Sequence, residues 1–167
     1  MFRRLLAQRT VKATALALFF GLGSVASYAD GPFGHLAGAW SGDGTITLVS
    51  GVRERIRCRA QYRPSGGGAA LRLELRCASD SFKFELRSDL TALNGLVSGV
   101  WSEITRDVSG SITGSAINDV VNVTARSPKF SAFLNVSTNG NRQRVSIQSP
   151  GSEMNEVAIS LARGGRR

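Results

Sequence analysis

The stretch Arg53-Glu54-Arg55-Ile56-Arg57-Cys58-Arg59-Ala60-Gln61-Tyr62 repeats with a period of two. Arginine recurs at Arg53, Arg55, Arg57 and Arg59, and Ile56, Cys58, Ala60 and Tyr62 hold the alternate positions. Successive side chains of an extended strand point to opposite faces, whereas a helix would scatter these residues around its axis. The segment therefore reads as a half-buried strand, basic on its wet side and apolar on the other.

The same alternation recurs across the chain. Ten strands are predicted over residues 38–48, 52–62, 70–78, 81–90, 95–105, 108–117, 119–126, 129–137, 142–149 and 155–163. Turn-forming clusters such as Gly66-Gly67-Gly68, Asn94-Gly95, Asn139-Gly140 and Pro150-Gly151 separate them. Asn-Gly supplies the left-handed dihedrals of a tight hairpin. Connections this short make neighbours antiparallel and exclude crossover helices. The free edges of such a meander are liabilities that closure removes. The expected fold is all-β: a single antiparallel up-and-down β-barrel of about ten strands, occupying residues 36–163. Its inside is apolar and its outside polar. A membrane barrel reverses this and carries aromatic girdles, and the chain has only two Trp and two Tyr.

The N-terminus reads as a signal peptide over residues 1–29. Arg3, Arg4, Arg9 and Lys12 form a positive start, Ala13 to Ala26 an apolar core, and Ser27-Tyr28-Ala29 a cleavage site. The core is shorter than the about 20 residues of a comfortable membrane span. Arg3-Arg4 is a poor twin-arginine match, so the general secretory route is expected. Cleavage leaves residues 30–167, one domain with 17 basic and 12 acidic residues and a net charge of +5. Residues 30–35 are expected to be a flexible lead and 164–167 a basic tail. The mature chain is expected in a bacterial periplasm or secreted, and not as an integral membrane protein.

In an oxidising compartment two cysteines, Cys58 and Cys77, argue for one disulfide. A hairpin centred near residues 67–68 places them opposite each other on the apolar side. Two free core cysteines are the alternative. There is no CxxC spacing and His35 is the only histidine, so neither a metal site nor a cofactor is expected.

The same register gathers Arg53, Arg55, Arg57, Arg59, Arg63, Arg72 and Arg76 on the outer face, with Arg59 opposite Arg76 and Arg63 opposite Arg72. Like charges opposed across strands are mildly destabilising. Either this is a solvated strand surface, or it is a face for an anionic envelope surface such as lipid, lipopolysaccharide or polysaccharide. No aromatic residue lies among the arginines to stack on bases, so nucleic acid is not an expected partner. Glu54 and Glu74 sit among these arginines as ion partners rather than as an acid–base pair. With His35 placed before the first strand, no catalytic residues are expected.

Leu36-Ala37-Gly38-Ala39-Trp40-Ser41-Gly42 opens the first predicted strand. It resembles the Gly-x-Trp signature that begins the calycin barrels: lipocalins, fatty-acid-binding proteins, nitrobindin-like proteins and avidins. Val97-Ser98-Gly99-Val100-Trp101-Ser102 is a second copy. The chain after residue 29 is also similar to small exported alphaproteobacterial proteins, a likeness that brings no activity with it. In calycins the Trp closes one end of the barrel and a basic residue of the last strand packs across its ring. The resemblance implies that role for Trp40 and Arg163. The histidine haem ligand of nitrobindins and the biotin-contacting tryptophans of avidins have no counterpart here.

The candidate lumen residues are Ile46, Leu48, Ile56, Tyr62, Leu73, Leu75, Phe82, Phe84, Trp101 and Leu134. Such a lining suits a small hydrophobic or amphipathic ligand, unless the barrel packs solid. Trp101 belongs to this set only if its strand turns that way, and Glu103 then faces inward too. A lone buried carboxylate is costly. The favoured parity therefore puts Leu96, Ser98, Val100, Ser102 and Ile104 inside.

Overall fold

The computed structural model describes residues 31–164. The expected signal peptide and residues 165–167 lie outside the described residues. Ten strands follow in order: β1 (Gly38–Leu48), β2 (Arg53–Ser65), β3 (Ala70–Ala78), β4 (Lys83–Leu93), β5 (Leu96–Glu103), β6 (Val108–Ile117), β7 (Val120–Arg126), β8 (Ser131–Asn139), β9 (Arg142–Gln148) and β10 (Met154–Arg163). Each pairs antiparallel with the next, and β10 pairs with β1 to close the barrel. Closure leaves no row of unpaired backbone donors and acceptors along the wall.

An even number of strands gives the barrel two unlike poles. The hairpins β2–β3, β4–β5, β6–β7 and β8–β9 lie at one, with the start of β1 and the end of β10. The connections at residues 49–52, 79–82, 104–107, 127–130 and 149–153 lie at the other. The first pole has the tight turns. Asn94 and Gly95 take φ of 51° and 79°, and Gly66, Gly67 and Gly68 all lie at positive φ.

Cys58 faces Cys77, Arg59 faces Arg76 and Arg63 faces Arg72. The cysteines form a disulfide with Cα atoms 4.1 Å apart. That is near the spacing of about 4.5 Å in a non-hydrogen-bonded antiparallel pair, the cross-strand position a disulfide bridges best.

The structure differs from expectation in two places. Residues 31–37 are not a flexible lead. They fold across the tight-turn pole around a short 3-10 turn, Gly34–Leu36, and Phe33 and Leu36 are buried in the core. The Gly31 and Phe33 amides donate to the Gly67 and Gly68 carbonyls. A Cβ at Gly31 would run into the Gly68 backbone, so glycine here permits close docking rather than looseness.

The second difference is the parity of β5. Val97, Trp101 and Glu103 are buried, while Leu96, Val100 and Ile104 are 69%, 60% and 47% exposed. The buried carboxylate is not alone. Glu103 Oε1 accepts from the Glu85 amide at 2.9 Å and from the Thr105 amide and hydroxyl at 3.2 and 2.6 Å. Its Oε2 accepts from the Arg106 amide at 2.8 Å, with the Arg106 guanidinium 3.7 Å away. The turn after β5 thus closes around its own carboxylate. Burial alone would raise the Glu103 carboxyl, but the Thr105 hydroxyl and the three amides outweigh it. They hold the group below its ordinary value of 4.5.

Two outcomes follow. Cys58→Ala with Cys77→Ala reopens a loop of about twenty residues and is expected to lower stability by about 3 kcal/mol, read as an earlier urea midpoint. Folding favours ionised Glu103, so its contribution is complete above 4.5 and is lost as pH falls through the depressed native value. Glu103→Gln is expected to cost about 1–3 kcal/mol near pH 7. The difference between the two proteins, measured by urea melts, narrows as pH drops below 4.5.

Candidate functional site

The inward residues do not fill the barrel. A cavity of about 280 Å³ runs along its axis. Its wall is almost wholly aliphatic and aromatic, with Ile56, Leu73, Leu75, Leu134, Val136 and Ile159 among the lining. The bound set by closure explains the space: more strands widen a barrel, and an eight-stranded one is just filled by side chains.

Seven of the ten candidate lumen residues line this cavity: Ile56, Tyr62, Leu73, Leu75, Phe84, Trp101 and Leu134. The other three do not. Ile46 is fully buried in the wall, and Leu48 sits where β1 slips register against Met154. Phe82 has the right parity but lies beyond the end of β4. The Ser79–Phe82 turn holds it at the rim, where it stacks on Phe84 with ring centres 6.2 Å apart.

The tight-turn pole is the floor. Trp40 lies across it, and its indole Nε1 donates to the Leu36 carbonyl at 2.8 Å. β1 and β10 pair so that Trp40 faces Arg163, and the guanidinium carbon sits 4.6 Å from the indole ring centre. Arg163 Nη2 also donates to the His35 carbonyl. His35 Nε2 lies 3.9 Å from Asp119 Oδ1 on the β6–β7 turn. One cation therefore joins the last strand, the first strand and the lead segment.

A buried polar row completes the floor. The Tyr62 hydroxyl donates to Gln143 Oε1 at 2.7 Å, and Gln143 Nε2 donates to Thr138 Oγ1 at 3.1 Å. Trp40 meets the Tyr62 ring edge-on at 6.2 Å. Burial pushes the Tyr62 phenol well above its ordinary value of 10, against the opposing effect of the Gln143 bond. Tyr62 is thus a fixed hydrogen-bond donor. Gln143 and Thr138 were missed in the sequence, although Gln143 has the inward parity of Val145 and Ile147, and Thr138 that of Leu134 and Val136.

The other pole is the mouth. Phe84, Glu103, Arg106, Phe130, Ser149, Ser152 and Met154 reach the cavity from its loops and strand ends. Two polar groups stand farther in. Ser88 and Trp101 face each other across β4 and β5, and neither Ser88 Oγ nor Trp101 Nε1 has a hydrogen-bond partner. Nothing in the sequence marked Arg106, which belongs to a turn rather than to an alternating strand.

Outside, the arginines gather as expected from the register. Asp43 lies 3.6 and 3.7 Å from Arg55 and Arg57, Glu74 lies 3.1 Å from Arg63, and Asp89 lies 2.8 Å from Arg72. The Asp89 hydrogen bond and charge raise Arg72 above its ordinary value. Glu54 is not an arginine partner. It accepts from the Ser79 hydroxyl at 2.8 Å and the Ser81 amide at 3.3 Å, and these serines hold its carboxyl below the usual value. The outward positions of β1–β4 carry nine basic residues (the seven arginines, Lys83 and Arg87) against Asp43, Glu74, Glu85 and Asp89, a net of +5. The described residues together carry fifteen basic and eleven acidic side chains, a net of +4. The outward positions of β7–β9 add Arg126, Arg142 and Arg144 with no acid, a net of +3, so β1–β4 carry the larger share of the basic wall.

No family model and no curated protein matches the sequence. Solved structures do match the shape. The crystal structure of Rv2717c from M. tuberculosis superposes with a TM-score of 0.63 at 14% identity, over 79% of this chain and 94% of that one. The S-type phycobiliprotein lyase CPES from Guillardia theta superposes with a TM-score of 0.56 at 10% identity, over 81% and 92%. At these identities the likeness is one of fold.

Proposed function

We propose that this chain is an exported, non-catalytic binding barrel that carries or senses one small apolar or amphipathic molecule in its lumen. The observation that carries the reading is the apolar cavity of about 280 Å³, closed by the Trp40–Arg163 floor and reached from the opposite pole. Small-molecule sites are typically concave, mostly apolar and furnished with a few polar groups, as here. The disulfide and the signal-peptide reading of residues 1–29 support export to an oxidising compartment. The titratable groups at the cavity support a role without chemistry. Glu103 is occupied by four donors and Tyr62 by Gln143, so neither is poised to exchange protons. One barrel of similar shape is named a phycobiliprotein lyase, which makes a small-molecule role for such a lumen a reasonable inference.

The side of β1–β4 favours a second role on the same molecule: attachment to an anionic envelope surface. Among the described residues Arg53, Arg59 and Arg87 have no ion-pair partner, and the outward positions of these strands carry a net of +5. Isolated surface ion pairs are weak, so the compensated arginines also remain available to a polyanion.

Native mass spectrometry of protein taken from the periplasm tests the first role. A native mass above the denatured mass is expected, with the excess absent from Ala132→Trp, which fills the lumen from β8. Equal masses for both proteins count against a carried ligand. For the second role, retention on heparin or on anionic vesicles is expected to weaken steeply with salt. It is expected to be lost on replacing Arg55, Arg57, Arg59 and Arg76 together by Gln. Unchanged retention of that variant contradicts it.

A further inference from the structure

The cavity has one charged edge, and its charge is unevenly spent. Glu103 and Arg106 are the charged residues among its lining. The Glu103 oxygens are saturated by the turn that wraps them. The Arg106 guanidinium is held but not consumed. Its Nη1 donates to the Lys83 carbonyl at 3.1 Å and to Thr105 Oγ1 at 3.4 Å, and its carbon lies 4.6 Å from the centre of the Phe84 ring. Among the described residues its Nε and Nη2 have no hydrogen-bond acceptor. These two atoms form one edge of the guanidinium fork, the edge that grips a carboxylate or phosphate through two parallel bonds.

The remaining polar groups near the cavity are neutral: Ser88 Oγ and Trp101 Nε1 are unpartnered and can each offer one hydrogen bond, but neither carries charge to offset that of an anion. Tyr62, Gln143 and Thr138 satisfy one another on the floor. At the mouth the Ser149 and Ser152 hydroxyls donate to backbone carbonyls. An acid at the floor would displace a buried network and lie in an apolar tube. An acid at the mouth meets a preformed, half-exposed cation fixed by a carboxylate, a carbonyl and an aromatic face.

We infer that the ligand is a single-chain amphiphile with an anionic head, bound tail-first, and that Arg106 is the residue that holds the head at the mouth. This rests on the lumen reading above. The cavity of about 280 Å³ is elongated enough in its lining, from Leu36 at the floor to Arg106 at the mouth, to take a single alkyl chain. Trp101, tilted against Phe130 with ring centres 5.9 Å apart, would then flank the upper part of the chain.

Calorimetric titration of the purified, disulfide-bonded protein with decanoate and with decanol tests this. Decanoate is expected to bind at least about tenfold more tightly, the effect of a hydrogen bond to a charged group. Arg106→Gln is expected to bring decanoate down to the decanol level and leave decanol unchanged. Arg106→Lys is expected to recover only part, because the fork is lost. Ala132→Trp is expected to abolish both. Equal affinities in the native protein, or undiminished decanoate binding by Arg106→Gln, overturn the head-group assignment and leave the lumen reading standing. Decanoate binding that survives Ala132→Trp places the anion outside the lumen and also overturns it. Binding of neither compound overturns both readings. Circular dichroism of each variant confirms that a loss is not unfolding.

Discussion

Ten strands joined by short turns leave two bare edges, and the rest of this molecule depends on how those edges meet. The β1–β10 seam does more than pair backbone groups. It sets Trp40 opposite Arg163, so closing the wall also brings a cation onto an indole. Such a contact is worth about 0.5–2 kcal/mol according to its desolvation. It also fixes Phe33 and Leu36, because Trp40 and Arg163 each bond to a carbonyl of the lead segment. Closure of the wall and closure of the floor are thus one event. Once they are made, the inward side chains cannot collapse further onto each other, and a lumen remains.

The two poles then take different chemistry. At the floor the Tyr62–Gln143–Thr138 row is a buried chain whose members bond to one another, and such a satisfied network rigidifies its surroundings. At the mouth the loops bring carboxylate, guanidinium, hydroxyls and aromatic rings to the edge of an apolar tube. Such an asymmetry gives an elongated amphiphile one favoured direction of entry. The outer wall is uneven as well: one side collects the paired arginines of β2 and β3 with their acids, while β7–β9 carry Arg126, Arg142 and Arg144 spaced among neutral amides and hydroxyls such as Asn122, Asn135 and Ser146.

Much of this was legible because a strand has a period of two and a short turn fixes register. Arg53 to Tyr62 and Gly66 to Gly68 are sufficient to place Cys58 against Cys77, and the structure shows that pair joined. The strand boundaries were less legible where side chains, not pattern, set them. β2 runs on to Ser65 because the three positive-φ glycines confine the turn to themselves. β4 begins at Lys83 because the Ser79 hydroxyl ties the preceding turn. The parity of β5 was misread for a similar reason. Alternation alone cannot reveal that the turn after Glu103 supplies its carboxylate with amides. The lead segment was misread because glycines there signal proximity, and proximity is a property of the partner strand. Gln143, Thr138 and Ser88 could have been found by the parity rule, had polar residues been admitted to the inward set.

The even strand count also settles how the molecule can be held. Both the first and the last strand end at the floor, so a tether on either end of the barrel attaches at the same pole. Whether that tether is a retained leader, a fused domain or a surface to which the protein is immobilised, the mouth points away from it. The five loops around the mouth are correspondingly free to change length and sequence without disturbing the seam. A lineage built on this frame could alter what enters the barrel while leaving its attachment untouched.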